Sequence, residues 1–411
     1  MSENARTTNP VVVDEFSFNP HDPSFVEEGI PFETLARIRH EQPIFPIAER
    51  TWYLSRFTDV AAALTDVETF RADLGLITGI PEGVAAIPED QHYLSEIQEP
   101  RHKAVRRLVT ASMSSARLTA IQPKLRQECD RLIDAMLTKP IANLHDDYAM
   151  AIPAFAMTRI MDMDNLAAEH FMRWSLDGTL MQRPATPGVP PEGPASHVFF
   201  ADYLTHQRSL AKPSNDLMAL LLDARIDGVP LTDAEIITQL HFMIQAGVHT
   251  TRSLLTHLVN RLVQQRGLWD AIVGDRALVS SFVEESLRRD SPVQRTTRRC
   301  TRDTEFEGVA MRRDDWVEMG IGSANHDETI YDAPDAFRLD RGEPKRHLAF
   351  GAGSHVCPGA ALARLEARIA VETLLDRLDH MEMVDGAVYP PLPGSLGHQA
   401  IPAHLFVRAT A

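Results

Sequence analysis

The run from Leu231 to Gln265 constrains the fold more than any other stretch of this sequence. Thr232 and Glu235 stand three apart, the spacing of a capping box, in which each side chain takes up the other residue's backbone N–H. No proline interrupts the text until Pro292, and the pattern predicts a helix running to about Gln265. At about 1.5 Å per residue that helix is about 50 Å long, roughly a domain diameter. From Phe242 to Thr251 it is apolar or small around much of its circumference, which marks a buried central helix.

The remaining text reads as mainly α with small β-sheets. Residues 1 to about 20 form a loose arm rich in Asn, Pro and Asp. Phe32, Leu35 and Ile38 carry helical period up to Glu41. Ile44–Ile47 and Thr51–Leu54 flank a short turn and predict a hairpin. Helix returns from Asp59 to Phe70, and Leu74 to Glu99 is a long irregular connection of the kind that is functional or disordered. Helical text dominates from Arg101 to about Asp177, and the proline-rich Pro184–Pro194 reads as a loop and a candidate lid. Residues 293 to 322 alternate like short strands, with turns at Glu307-Gly308 and Arg313-Asp314-Asp315, and a last long helix follows Cys357 to about Leu378. At about 150 residues per domain, 411 residues suggest two or three domains, though one large core absorbs this length.

Charge and cysteine usage exclude several classes. Lys plus Arg is 41 against 57 Asp plus Glu, a formal charge of −16, which argues against sequence-independent nucleic-acid binding. No run of about 18 apolar residues spans a bilayer, so no membrane anchor is expected, and the N-terminus lacks the build of a signal peptide. Cys129, Cys300 and Cys357 are odd in number and far apart, which does not support a disulfide framework. The chain reads as reduced, soluble and cytoplasmic.

The strongest chemical signal is Phe350-Gly351-Ala352-Gly353-Ser354-His355-Val356-Cys357-Pro358-Gly359. Its glycines make a tight loop that lets backbone amides approach a ligand closely. Cys357 stands just before a helix, where free N–H groups and the helix dipole favour a thiolate, as nucleophile or metal ligand. At every position the text resembles the haem-binding loop of the cytochrome P450 family, the Cys-thiolate class of haem proteins. Glu285-Ser286-Leu287-Arg288 resembles the family's Glu-x-x-Arg pair, for which Arg341 is the best third member, in a structural role. Ala246-Gly247-Val248-His249-Thr250-Thr251 resembles its oxygen-activation motif, and His102-Lys103-Ala104-Val105-Arg106 resembles its His-x-x-x-Arg.

The resemblance covers nearly the whole chain, and its implications are specific. It implies one domain over 21–411 with the cytochrome P450 fold, a triangular helical prism holding haem between the long central helix and the helix after the cysteine loop. Haem b would take Cys357 as proximal ligand, with His102, Arg106, Arg298 and His355 around its propionates and Phe350, Gly351 and Gly359 framing the loop. Ala246 and Gly247 would leave room for the macrocycle and O2, or else permit close helix crossing. Thr250 would help deliver protons. His249 stands where most relatives place Asp or Glu, and imidazole shuttles protons near neutral pH.

Substrate, by the same resemblance, should meet Phe242, Gln245, Ala246, Val293, Gln294, Thr296 and Leu396, a mainly apolar set expected to take a hydrophobic small molecule. The Gln245 amide either anchors a substrate oxygen or bonds a neighbour. Electrons for a monooxygenase would come from a ferredoxin with its ferredoxin reductase, recruited by Arg101, Lys103, Arg106, Arg107 and Arg364. Alternatives are a peroxide-driven haem-thiolate peroxygenase, a non-catalytic haem-binding protein, and a colourless hydrolase built on Cys357 and His355.

Overall fold

The computed structural model describes residues 18–22, 29–72, 87–184, 186, 188–212, 216–343, 345–387 and 399–408. The elements begin with α1 (Phe32–Glu41), β1 (Ile44–Ala48), β2 (Thr51–Leu54), α2 (Phe57–Thr65) and β3 (Phe70–Arg71). Then come α3 (Arg101–Ala111), α4 (Ser115–Leu137), β4 (Ala142–Asn143), α5 (Ala151–Met161), α6 (Asn165–Leu176) and α7 (Ala195–Ser209). They are followed by α8 (Asp216–Asp223), β5 (Arg225–Ile226), β6 (Val229–Pro230), α9 (Asp233–Gln264), α10 (Arg266–Gly274) and α11 (Leu278–Arg289). The chain continues with β7 (Thr296–Cys300), β8 (Thr304–Phe306), β9 (Val309–Met311), β10 (Trp316–Met319) and α12 (Ile321–Ala324). It ends with α13 (Ala360–Arg377), β11 (Leu378–Met383) and β12 (Pro402–Val407).

The described residues fall into two compact units. The first lies within Met1–Gly79, Glu284–Cys357 and Pro390–Gly397, and the second within Ile80–Val283, Pro358–Tyr389 and His398–Ala411. In the first, a five-stranded sheet runs β1-β2-β10-β7-β3, with β10 parallel to β2 and the other pairs antiparallel. Ile44, Leu54, Val60, Leu64, Phe70, Cys300, Val317, Met319 and Leu348 close one core over it. The helix expected over 59–70 stops at Thr65. Asp66 Oδ1 accepts the Thr69 N–H at 3.0 Å, turning the chain so that the fully buried Phe70 pairs with Cys300 in the sheet. Glu307 (φ 49°) and Gly308 (φ 79°) form the tight turn between β8 and β9, the left-handed pair that matches hairpin twist.

In the second unit α9 is the central helix. Thr232 Oγ1 accepts the Glu235 N–H (3.1 Å) and Glu235 Oε2 accepts the Thr232 N–H (2.8 Å), a complete capping box. From Ile236 to Val263 most of its side chains are buried, against α5, α6, α7 and α13. α4 also packs on α13, and Tyr148, buried between them, donates to Ala370 O at 2.8 Å. A three-stranded sheet, β11-β12-β4, closes this unit.

Candidate active site

In the first unit the sequence Leu348 to Cys357 folds as a pinned loop. Leu348 N–H donates to Asn325 Oδ1 (2.7 Å), Gly351 N–H to Leu348 O (2.8 Å) and Cys357 N–H to Phe350 O (2.9 Å). Gly353 has φ 68°, and a Cβ there would lie 2.8 Å from the Leu64 carbonyl, so both conformation and space require glycine. His355 ends the single helical turn Gly353–His355. Cys357 is half-buried, whereas Cys129 and Cys300 are buried. Burial pushes the thiols of Cys129 and Cys300 up to about 12 and about 11, which keeps them protonated and unreactive.

Arg298 of β7 is 4 % exposed. Its Nη1 donates to Thr297 O (2.9 Å), and among the described residues its Nε has no partner and no carboxylate pairs with it. Burial lowers its pKa to about 10. A guanidinium buried in this way calls for an anion, because an uncompensated buried charge is costly. Val293 is exposed, Thr296 opens β7 opposite Met319, and the Gln294 amide donates to Ser291 O (2.7 Å) against Gly322. Leu396 lies outside the described residues. Glu285 holds both Arg288 (2.8 and 2.9 Å) and Arg341 (2.9 Å to each oxygen).

In the second unit Phe242, Gln245, Val248 and Thr251 are buried, while Ala246, Gly247, His249 and Thr250 are only half-buried. Thr250 Oγ1 donates back to Ala246 O at 2.8 Å. A Cβ on Gly247 would come within 2.9 Å of Met157 Sδ, so the close approach of α5 accounts for that glycine. Buried His102 presents Nδ1 to Glu99 Oε1 at 2.9 Å, and half-buried Arg106 stands one turn further along α3. Arg101 is ion-paired with Glu235, which removes it from the expected basic patch; Lys103 and Arg107 are exposed. Gly359 precedes α13 and its carbonyl accepts the Ala363 N–H (2.9 Å).

His249 differs from the expectation of a shuttle that titrates near neutral pH. Its Nδ1 lies 3.1 Å from Arg252 Nη2 and its Nε2 3.5 Å from Ser175 Oγ. Burial, with the neighbouring Arg252 cation, lowers its pKa to about 4. It is therefore a neutral imidazole at physiological pH, accepting from Arg252 at Nδ1. Ser175, Arg252 and Glu99 give no signal in the sequence, because their partners are set by tertiary packing. Glu366 does give one: it is a lone carboxyl at helical spacing from Leu362 and Ile369. It is 1 % exposed, and burial holds its pKa well above the usual carboxylate range.

These buried histidines fix the sign of the pH dependence. His197, His249 and His326 have pKa values lowered to about 4, about 4 and about 3, mainly by burial. The unfolded chain protonates each near pH 6.5, so it binds more protons than the folded chain below that pH, and stability falls with pH. The loss is about 1 kcal/mol per histidine between pH 7 and 5.5. His145 and His241, also lowered, act in the same direction, and Glu366 opposes them. The urea midpoint is expected to drop clearly over that interval; a flat midpoint would contradict this account.

The chain matches known proteins along most of its length. The family model described as Cytochrome P450 matches residues 203–403. Cytochrome P450 107B1 of Saccharopolyspora erythraea is 31% identical, over 81% of this chain and 83% of its own. The epothilone C/D epoxidase of Sorangium cellulosum is 30% identical, over 91% of each chain. The chain belongs to the cytochrome P450 family. The steroid C26-monooxygenase of Mycolicibacterium smegmatis is 29% identical over 92% of this P450 and 93% of its own chain. The solved structure of cytochrome P450 CYP109Q5 from Chondromyces apiculatus superposes with TM-score 0.82 at 27% identity, covering 95% and 98% of the two chains. The fold is the P450 fold, and this P450 is a bacterial-type monooxygenase whose cofactor is haem b. In the first unit Arg298 fits that group, since among the described residues no carboxylate pairs with its buried guanidinium. Among the described residues, no helix is long and apolar enough to cross a membrane.

Proposed function

We propose that this P450 oxidises a hydrophobic small molecule with electrons from a ferredoxin and its reductase. The observation that carries the residue assignments is the contrast among the three thiols. Two are buried and held protonated, while Cys357 ends a pinned glycine loop and is half-buried. Haem, which Cys357 would ligate, would supply the redox chemistry of O2 activation. Arg298, His102, Arg106 and His355 hold its anionic edge, with Arg the better forked donor. Phe350, Gly351 and Gly359 would shape the loop and Ala246 would leave room for the macrocycle, while Gly247 admits Met157 of α5.

Thr250 holds the proton nearest the chemistry: its hydroxyl, now donated to Ala246 O, is free to turn toward O2. His249 orients Arg252 and Ser175 and carries no proton charge of its own. Phe242, Gln245, Ala246, Val293, Gln294 and Thr296 face the substrate. Relatives named for steroids, epothilone and erythromycin support a bulky, mainly apolar substrate. The reading takes 21–411 as one domain, in the cytoplasm, where free thiols persist.

Thr250→Ala is expected to lower product formed per electron pair on the order of a hundredfold, with the electrons appearing as hydrogen peroxide. Unchanged yield and peroxide release would remove Thr250 from proton delivery. The neutral His249 favours one second reading, a peroxide-driven peroxygenase; faster turnover with peroxide than with a ferredoxin system would select it. Arg107→Glu should slow reduction by ferredoxin in a salt-dependent way.

A further inference from the structure

We propose that the second unit carries a recognition site for a neutral hydroxyl group on the substrate, formed by Tyr93 and Gln245. The inference rests on the substrate reading above and refines it. Tyr93 is 1 % exposed and is held on three sides. Its N–H donates to Glu96 Oε2 (3.0 Å). The Arg183 guanidinium, ion-paired to the same Glu96, lies 4.0 Å from its ring centroid. Its ring also stacks on Phe242 of α9, with centroids 4.9 Å apart and planes at 22°. The phenolic oxygen of this fixed side chain nevertheless has no hydrogen-bond partner among the described residues.

Gln245 is 2 % exposed and lies one turn beyond Phe242 on the same helix face. Its Nε2 donates to Met181 Sδ at 3.4 Å. Sulfur is a weak acceptor and not a donor here, so the amide presents its oxygen away from Met181, and that Oε1 has no partner among the described residues. A donor O–H on a ring stacked against Phe242, and an acceptor C=O one helical turn along from Phe242, are thus left unsatisfied among the described residues, on the turn that leads into Ala246. Buried polar groups in folded proteins are satisfied by protein, water or ligand. A hydroxyl satisfies both from one atom, accepting from Tyr93 and donating to Gln245; a ketone satisfies only Tyr93.

The surroundings favour a neutral group over an anion. Arg183 is neutralised by Glu96. His241, with Ser196 Oγ at 2.8 Å from its Nδ1, packs against His197 at 4.6 Å between ring centroids, and burial keeps both rings uncharged. Arg252 lies two turns further along α9 and is engaged by Ser175 and His249.

The test uses the haem-loaded full chain and three probes of one ring size: cyclododecanol, cyclododecanone and cyclododecane, with dodecanoate as the anionic probe. Binding is read by equilibrium dialysis alongside the optical spin-state change. Cyclododecanol should bind about tenfold more tightly than cyclododecane, with the ketone between. Tyr93→Phe and Gln245→Met should each cut the alcohol-to-hydrocarbon ratio at least about threefold, and the double variant should abolish the preference. Tyr93→Phe removes an unsatisfied group, so its urea midpoint should equal or exceed that of the parent, which separates loss of the site from misfolding. Equal binding of alcohol and hydrocarbon, no saturable binding of the alcohol, an unchanged ratio in both variants, or tighter binding of dodecanoate would each overturn the proposal. Each sample also receives a reduced, carbon-monoxide spectrum. A normal thiolate band without the alcohol preference defeats this inference alone, while a missing band defeats the haem-thiolate reading beneath it.

Discussion

Cys357→Ser is expected to abolish monooxygenase turnover while leaving a folded, coloured protein. The side-chain volume hardly changes, and the loop is pinned by backbone contacts from Leu348, Gly351 and Cys357, none of which involves the sulfur. On the proposed reading, Arg298 would remain as an anchor for the haem edge. What disappears is the thiolate: a serine hydroxyl stays protonated at neutral pH and donates far less electron density, and it is that donation which favours O–O cleavage. The reduced, carbon-monoxide-bound spectrum should lose its thiolate band, with turnover below detection. The controls are Cys129→Ala and Cys300→Ala, whose buried thiols do nothing in this chemistry and whose variants should keep the band. Retention of the band in Cys357→Ser would mean that another residue ligates iron.

Local chemistry was readable in the residues themselves, and tertiary partnership was not, except where the family resemblance named it, as for Arg341 with Glu285. The capping box at Thr232 and Glu235, the hairpin, the β8–β9 turn and the helix after the cysteine loop all follow from short-range signals, and the structure forms each of them. The exception among the elements, Asp59 to Phe70, failed because apolar spacing alone does not distinguish the last helical turn from a buried strand; the Asp66 turn decided it. At the site, Phe350 to Cys357 stands out by its glycines and Ala246 to Thr250 by its resemblance to the family's motif. The Arg252–His249–Ser175 contact could not, since Ser175 lies on α6, 74 residues away. Without it, His249 reads as an ordinary imidazole near its normal pKa, and burial beside a cation reverses that reading. Gly247 shows the converse: the motif suggested room for a ligand, and the structure adds that Met157 occupies the space a side chain would need.

Glu285→Ala should be the most damaging change to stability among those considered. Glu285 is 3 % exposed and its two oxygens receive Arg288 Nε and Nη2, Arg341 Nε and the Arg338 N–H, all within 2.9 Å. Arg288, 1 % exposed, would be left as a buried cation without a carboxylate. Breaking a buried pair from one side costs about 3–5 kcal/mol, whereas exposed pairs are worth at most about 1. Against a typical total of about 5–15 kcal/mol, the loss removes between about a fifth and all of the margin. The damage also reaches the thiolate loop: Arg288 Nη1 donates to Asn325 O (2.7 Å), and the Asn325 side chain accepts the Leu348 N–H at the start of that loop. The haem-loaded variant should therefore unfold at lower urea and convert its thiolate band to a non-thiolate form sooner on the same titration. Glu285→Gln, which keeps an acceptor but removes the charge, should fall between. A midpoint for Glu285→Ala equivalent to within about 1 kcal/mol of the parent would put the pair in the class of surface salt bridges, against its burial.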